Sequence, residues 1–199
     1  PGELGKPSHD AIRAQVELSQ LHGVHNVKPT AISLTNATEQ GTILQPTEVA
    51  GYGELARELD LGLHMDGARF SNAMVGSGAS PAELTWRAGV DALTFGATKN
   101  GAIAAEAVVF FNDRFSADFA YRRKRAGHLW SKHRFLAAQF DAFLTDDLWL
   151  DNARHANAAA ARMAAGLAAL DGVTFEFPVQ ANELFARLPV AMIEGLLAD

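Results

Sequence analysis

The chain has 199 residues, contains no cysteine and carries a formal net charge of −6 at pH 7. It therefore forms no disulfides or thiolate metal sites, and its acidic balance argues against a general nucleic-acid surface, which needs a basic excess. No apolar run reaches the length that spans a bilayer, and no signal pattern opens the chain. We expect a cytoplasmic protein that acts on a small molecule, with no nucleic-acid or membrane partner.

The first part of the chain alternates helix and strand patterns. Segments with helical apolar spacing are SHDAIRAQVELSQLHGV with a possible cap at Ser8, PTEVAGYGELARELDLG, SPAELTWRAGV and NDRFSADFAYRRKRAGH. Segments of strand length and composition are TAISLTN, LGLHM, DALTF and EAVVFF. This alternation favours parallel βαβ units and a sheet that helices cover on both faces. The predicted core is α/β.

The pattern changes from about Trp130. Two long helices are predicted in SKHRFLAAQFDAFL and DNARHANAAAARMAAGLAAL, and two strands in VTFEF and NELFARLP. We therefore predict that residues 1–150 belong to a larger α/β domain and residues 151–199 to a smaller α+β domain. Both chain ends resemble cuts through a longer sequence, so we expect a fragment.

Polar residues directly follow two of the predicted strands. LHMDGAR places Asp66 at the end of one strand with Arg69 three residues on, and TFGATKNG places Thr98 and Lys99 after the next. Ligands of open α/β sheets bind outside the carboxyl ends of the strands. A lysine amine attacks carbonyls, and a carboxylate can keep a heteroaromatic nitrogen protonated. Pyridoxal phosphate needs both groups.

Residue types alone leave alternatives open. Lys99 is also compatible with a solvated loop position, and Asp66 with a turn or helix cap. The histidines lack a carboxylate at helical ligand spacing, so no metal site is expected. His64 shares the face of Asp66 on its strand, where a satisfied core histidine is the simpler interpretation.

The stretch HMDGARFSNAMV followed by DALTFGATKNG closely resembles the threonine aldolases of the aromatic amino acid β-eliminating lyase superfamily, especially the low-specificity L-threonine aldolases. The resemblance runs from about Ala31 to Leu188, through SLTNATEQGTIL, YRRKRAGHLWSKHRFLAAQ and LTDDLWLDNARHANAAA. It implies the pyridoxal-phosphate-dependent aspartate aminotransferase fold, fold type I. In that fold the larger domain binds the cofactor.

The resemblance also implies roles for individual residues. Lys99 would bind pyridoxal phosphate covalently, Asp66 would pair with the pyridine nitrogen, and Arg69 would contact the cofactor or the substrate carboxylate. Thr98 would support the cofactor. The chain departs from the usual Met-Arg-Gln run of the family, so it stays open which of four basic residues lines the site. These are Arg123, Lys124, His128 and Lys132.

The activity implied is retro-aldol cleavage of β-hydroxy-α-amino acids to glycine and an aldehyde. The expected substrates are L-threonine and L-allo-threonine, with phenylserine as a further candidate, and the expected assembly is a homodimer or homotetramer. Two alternatives remain: another fold type I enzyme, either a β-eliminating lyase or an aminotransferase, and a folded fragment without catalytic activity.

Overall fold

The computed structural model describes residues 2–198. The helices are α1 (His9–Gln20), α2 (Pro46–Glu58), α3 (Phe70–Ser77), α4 (Pro81–Leu84), α5 (Phe119–Arg125), α6 (Arg134–Leu144), α7 (Leu148–Ala168) and α8 (Val190–Ala198). The strands are β1 (Ala31–Thr35), β2 (Gly62–Gly67), β3 (Ala92–Gly96), β4 (Glu106–Phe110), β5 (Thr174–Phe175) and β6 (Ala186–Arg187). The predicted α/β core and the cap at Ser8 are confirmed, since the Ser8 side chain accepts a hydrogen bond from the Ala11 amide.

The main sheet has four strands in the order β1, β2, β3, β4. The first three strands are parallel, as the alternation of helices and strands predicts. Strand β4 is antiparallel to β3, so the prediction of parallel units throughout is wrong at this strand. The physical reason is the short connection: residues 97–105 hold only a 3-10 turn, and a parallel crossover needs a dozen residues or more.

One face of the sheet carries the core and the other is open. In β1 the buried side chains of Ile32 and Leu34 alternate with exposed Ser33. Leu63 and Met65 of β2 continue the buried face, which α2 covers. The expectation of a sheet covered on both faces is therefore wrong for residues 2–198. A strict period of two places every second side chain of β1 on the uncovered face.

Aromatic side chains join the second half of the chain to the sheet. Phe95 of β3 packs against Phe140, Phe143 and Trp149, with ring centroids 5.7–5.9 Å apart. The helix α7 also packs along α3. The antiparallel pair β5 and β6 is only two residues long on each side, shorter than the predicted strands. Among the described residues, no helix is both long enough and apolar enough to cross a membrane.

Candidate active site

Asp66 lies near the carboxyl end of β2, in register with Thr35 of β1 and Thr94 of β3. Its Oδ1 accepts a hydrogen bond from the Ala68 amide at 2.9 Å, which fixes the turn that follows the strand. The carboxylate is half-buried on the uncovered face of the sheet. It is therefore held in place and still accessible to a ligand at this edge.

Lys99 lies in the 3-10 turn Thr98–Asn100, directly after β3. This strand ends at Gly96, where a Cβ would lie 2.9 Å from the Ala68 Cα. The missing side chain lets the end of β3 pass close to the turn that follows Asp66. Lys99 and Thr98 are exposed, and the Thr98 Oγ1 accepts a hydrogen bond from the Ala105 amide at 3.3 Å.

The helix α7 clamps the turn that carries Lys99. The Asn152 side chain donates to the Asn100 carbonyl oxygen at 2.9 Å, and the Asn100 side chain donates to the Trp149 carbonyl oxygen at 2.8 Å. At Gly101, with φ +116°, a Cβ would lie 2.9 Å from the Asn152 Nδ2. The backbone on the C-terminal side of Lys99 is therefore fixed by a helix about 50 residues further along the chain.

We expect Asn152→Ala to disturb the position of Lys99. The variant removes a partly buried hydrogen bond, so we expect it to cost about 1–3 kcal/mol of folding free energy. When the protein is mixed with pyridoxal phosphate and reduced with borohydride, we expect severalfold less cofactor to be attached to Lys99 than in the wild type. Asn157→Ala is a matched control, because Asn157 lies on the same helix and makes two hydrogen bonds to Asn72 of α3. Equal labelling of Lys99 in both variants would contradict the clamp.

Arg69 precedes α3 and forms an ion pair with Glu183, which lies between β5 and β6. Only 15% of the Arg69 side chain and 20% of the Glu183 side chain are exposed. Burial raises the pKa of Glu183; Arg69 and Lys99 oppose this shift, whereas Glu39 adds to it. Glu183 is thus within electrostatic reach of both predicted cationic site residues. Sequence reasoning missed it.

His64 is bound on both ring nitrogens. Its Nδ1 lies 2.8 Å from the Ser33 Oγ and its Nε2 lies 2.9 Å from the Thr94 Oγ1. Both ring nitrogens are satisfied, as expected, but His64 is half-buried on the open face of the sheet and not in the core. Burial lowers its pKa from the ordinary 6.5, and the Asp66 carboxylate opposes the shift. The folded chain therefore favours the neutral imidazole beside Asp66.

The lowered pKa of His64 predicts a pH-dependent stability. Because the unfolded state binds this proton more readily, the folded state loses stability as the pH falls below about 6.5. In His64→Gln we expect the decrease in the free energy of unfolding between pH 7 and pH 5 to be smaller than in the wild type. Urea titrations at several pH values measure it. Identical decreases in both proteins would contradict the assignment.

The four basic candidates after β4 make no ion pair in the described part of the chain. Arg123, Lys124, His128 and Lys132 are exposed, and within residues 2–198 none of them pairs with a carboxylate. Among residues 2–198, no side-chain hydrogen bond or ion pair joins any of them to Asp66 or Lys99. Over the same residues there is no group of three histidine or carboxylate side chains able to hold a metal ion.

The chain is similar to known proteins over nearly its whole length. A family model described as "Beta-eliminating lyase" matches residues 1–189. The chain is 48% identical over 196 residues to the low specificity L-threonine aldolase of Pseudomonas aeruginosa and 45% identical over 194 residues to that of a Pseudomonas species. Each alignment covers 98% of this chain and 56% of the relative. The chain thus spans about half the length of the curated relatives it matches.

Solved structures agree with the fold. The threonine aldolase of Leishmania major superposes with a TM-score of 0.90 at 29% identity, covering 100% of this chain and 57% of the other. A putative L-allo-threonine aldolase of Listeria monocytogenes superposes with a TM-score of 0.64 at 20% identity, covering 90% and 55%. The architecture is that of the fold type I enzymes, as predicted. With a family match over nearly its whole length, the chain belongs to the beta-eliminating lyase family.

Proposed function

We propose that the protein is a pyridoxal-phosphate-dependent aldolase that cleaves β-hydroxy-α-amino acids to glycine and an aldehyde. The observation that carries the proposal is the placement of Asp66 near the carboxyl end of β2 and of Lys99 just after the neighbouring parallel strand β3, at one edge of the sheet. Ligands of open α/β sheets bind at this edge. The relatives named L-threonine aldolase support threonine and allo-threonine as substrates, with phenylserine as a further candidate.

The groups at this edge fit pyridoxal phosphate. Lys99 offers an amine to the cofactor aldehyde and Asp66 offers a carboxylate to its pyridine nitrogen. Arg69 offers hydrogen-bond donors to an oxygen of the cofactor or of the substrate carboxylate. The open face of the sheet beside Asp66 leaves room for a flat ring. The side chains of Lys99 and Asp66 can thus bind the aldehyde and the ring nitrogen of the cofactor. Thr98 supports the turn that carries Lys99.

When bound, pyridoxal phosphate withdraws electrons from the bonds at the substrate Cα, which makes cleavage of the Cα–Cβ bond accessible. The chain's own residues prepare this chemistry. Asp66, fixed by the Ala68 amide, keeps a proton on the ring nitrogen. Lys99 would hold the cofactor aldehyde through its Nζ amine. Arg69, which pairs with Glu183, would orient an oxyanion at the same edge.

Product analysis tests the reaction type. We expect the protein, supplied with pyridoxal phosphate and L-threonine, to form glycine and acetaldehyde in equal amounts. Ammonia with a keto acid would indicate β-elimination, and a keto acid that forms only with an amino acceptor would indicate an aminotransferase. Either of these results would overturn the aldolase assignment, and so would the absence of any product.

We also propose a cytoplasmic homodimer or homotetramer, with residues 1–150 in the cofactor-binding domain and residues 151–199 in the smaller one. Exposed aromatic side chains on and after α5 support self-association, because large apolar surfaces favour protein contacts. They are Tyr121, Trp130 and Phe135. Light scattering of the purified protein measures the assembly, and a monomer at all concentrations would contradict it.

A further inference from the structure

Glu183 connects the smaller strand pair to the candidate active site. It reaches Arg69 from between β5 and β6, more than 110 positions away in the chain. Because both side chains are largely buried, this ion pair is less screened than a surface pair. The buried carboxylate of Glu183 attracts the guanidinium of Arg69 and so restricts its position. The pair therefore fixes Arg69 relative to the sheet edge.

Glu183 is itself held by the loop that follows β1. Gly41, with φ +72°, lies so close that a Cβ there would be 2.9 Å from the Glu183 carbonyl oxygen and 3.1 Å from its Cβ. Two residues on, the Ile43 amide donates to the Gln180 side chain at 2.8 Å. The loop also starts at the site, since the Asn36 amide donates to the Asp66 carbonyl oxygen at 3.0 Å.

The same loop is held by hydrogen bonds between its own residues. The Asn36 side chain accepts from the Leu44 amide and donates to the Leu44 carbonyl oxygen, both at 3.1 Å. The Thr38 and Thr42 hydroxyls lie 2.8 Å apart inside it. Glu183 is therefore placed against a closed, internally bonded loop that begins beside Asp66. The position of Glu183 therefore depends on the same loop that begins beside Asp66.

The carboxylate of Glu183 is bound on one side only. Its Oε1 pairs with Arg69, whereas its Oε2 is buried without a hydrogen-bond partner among residues 2–198. Most buried side-chain polar atoms have at least one hydrogen-bond partner, so an unpartnered carboxylate oxygen calls for an explanation. Removing such a group from water costs free energy that the folded chain recovers only in part. This favours a role in the site over a role in stability.

We propose that Glu183 is a positioning residue: its carboxylate holds the guanidinium of Arg69 at the carboxyl edge of the sheet and affects the reaction only through Arg69. The role in the reaction rests on the proposed function, whereas the hold on Arg69 does not. Glu183 thereby makes the geometry of the site depend on the docking of residues 180–183.

The first experiment measures the hold on Arg69 without added cofactor. Phenylglyoxal modifies free guanidinium groups, and peptide mass spectrometry reports each arginine separately. In Glu183→Gln we expect Arg69 to react more than about fivefold faster, since the charge-assisted pair is lost. Glu176→Gln is the matched control, because Glu176 pairs with Arg187 in the same strand pair. It accelerates only Arg187 and leaves Arg69 unchanged.

The second experiment measures the consequence for the reaction in the cofactor-loaded protein. We expect kcat/KM for L-threonine to fall about 10- to 100-fold in Glu183→Gln, the scale of a misplaced site group, and to stay within about twofold in Glu176→Gln. Because Glu183 acts through Arg69, the effects of Glu183→Gln and Arg69→Lys are not additive: the double variant loses little more than Arg69→Lys alone.

The outcomes separate the two claims. Unchanged labelling of Arg69 in Glu183→Gln overturns the positioning role, and so does faster labelling with kcat/KM within about twofold of the wild type. Glu183→Asp keeps the charge on a shorter side chain, and we expect it to change labelling and kcat/KM in the same direction by smaller factors. If Glu183→Gln does not unfold cooperatively, and so is not properly folded, the Glu183→Asp variant is used in its place. A wild type that fixes no cofactor on Lys99 overturns the proposed function, while Arg69 labelling still reports the ion pair.

Discussion

A Lys99→Ala variant is expected to lose both the covalent cofactor and the turnover. Without the amine in the turn Thr98–Asn100, no side chain there can react with the aldehyde of pyridoxal phosphate. We expect borohydride to fix no pyridoxyl group on the corresponding peptide and kcat/KM for L-threonine to fall by at least about 10²-fold, as on loss of a principal catalytic group. Mass spectrometry and a coupled acetaldehyde assay measure the two effects.

Two controls accompany this prediction. Lys99→Arg keeps the positive charge but offers no amine nucleophile, so it is expected to behave like the alanine variant. Lys28→Ala removes an exposed lysine in the segment before β1 and leaves labelling and turnover unchanged. Undiminished aldolase activity in Lys99→Ala would refute the assignment of Lys99.

Asp66→Asn is the second substitution for which we expect a large loss of turnover. Unlike Lys99→Ala, it is expected to keep the cofactor. The asparagine carbonyl can still accept the hydrogen bond of the Ala68 amide, so the turn after β2 is retained. The negative charge that keeps the pyridine nitrogen protonated is lost. We expect the variant to retain cofactor on Lys99 but to lose turnover by about 10²- to 10³-fold, the scale of one preorganised electrostatic group.

The matched control is Asp60→Asn. Asp60 is an exposed carboxylate with φ +53°, a conformation that asparagine also adopts. Its ion pair with Arg114 lies at the surface, where such pairs contribute little. We expect wild-type turnover in this variant. An Asp66→Asn protein with wild-type kcat and an unchanged cofactor absorbance spectrum would show that Asp66 does not act on the ring nitrogen.

The sequence was sufficient for the strands that position the site. Local apolar runs identify β1, β2 and β3, and residues that directly follow such runs lie at one sheet edge by the geometry of parallel strands. Asp66 and Lys99 are found this way. The direction of β4 is not encoded locally, because an apolar run of five residues is compatible with either direction. The short connection after β3 is the one signal that indicates an antiparallel strand.

The supporting residues could not be predicted in the same way. Asn152 contacts the turn of Lys99 across 52 positions and Glu183 contacts Arg69 across an even longer separation. Nothing in the local pattern of DNARHAN or ANELF distinguishes them from surface polar residues. Their roles arise from the packing of α7 and of residues 180–183 against the sheet edge. The predicted domain boundary at residue 150, which falls within α7, stays a prediction.

The most direct test of this account is peptide mapping of the protein after incubation with pyridoxal phosphate and reduction with borohydride. We predict a single pyridoxyl group on the peptide that contains Lys99. We also predict that L-threonine added before the borohydride decreases this label, because the substrate amine competes for the cofactor aldehyde. A label distributed over several exposed lysines, with Lys99 unmodified, would contradict the central claim that Lys99 is the cofactor-binding residue.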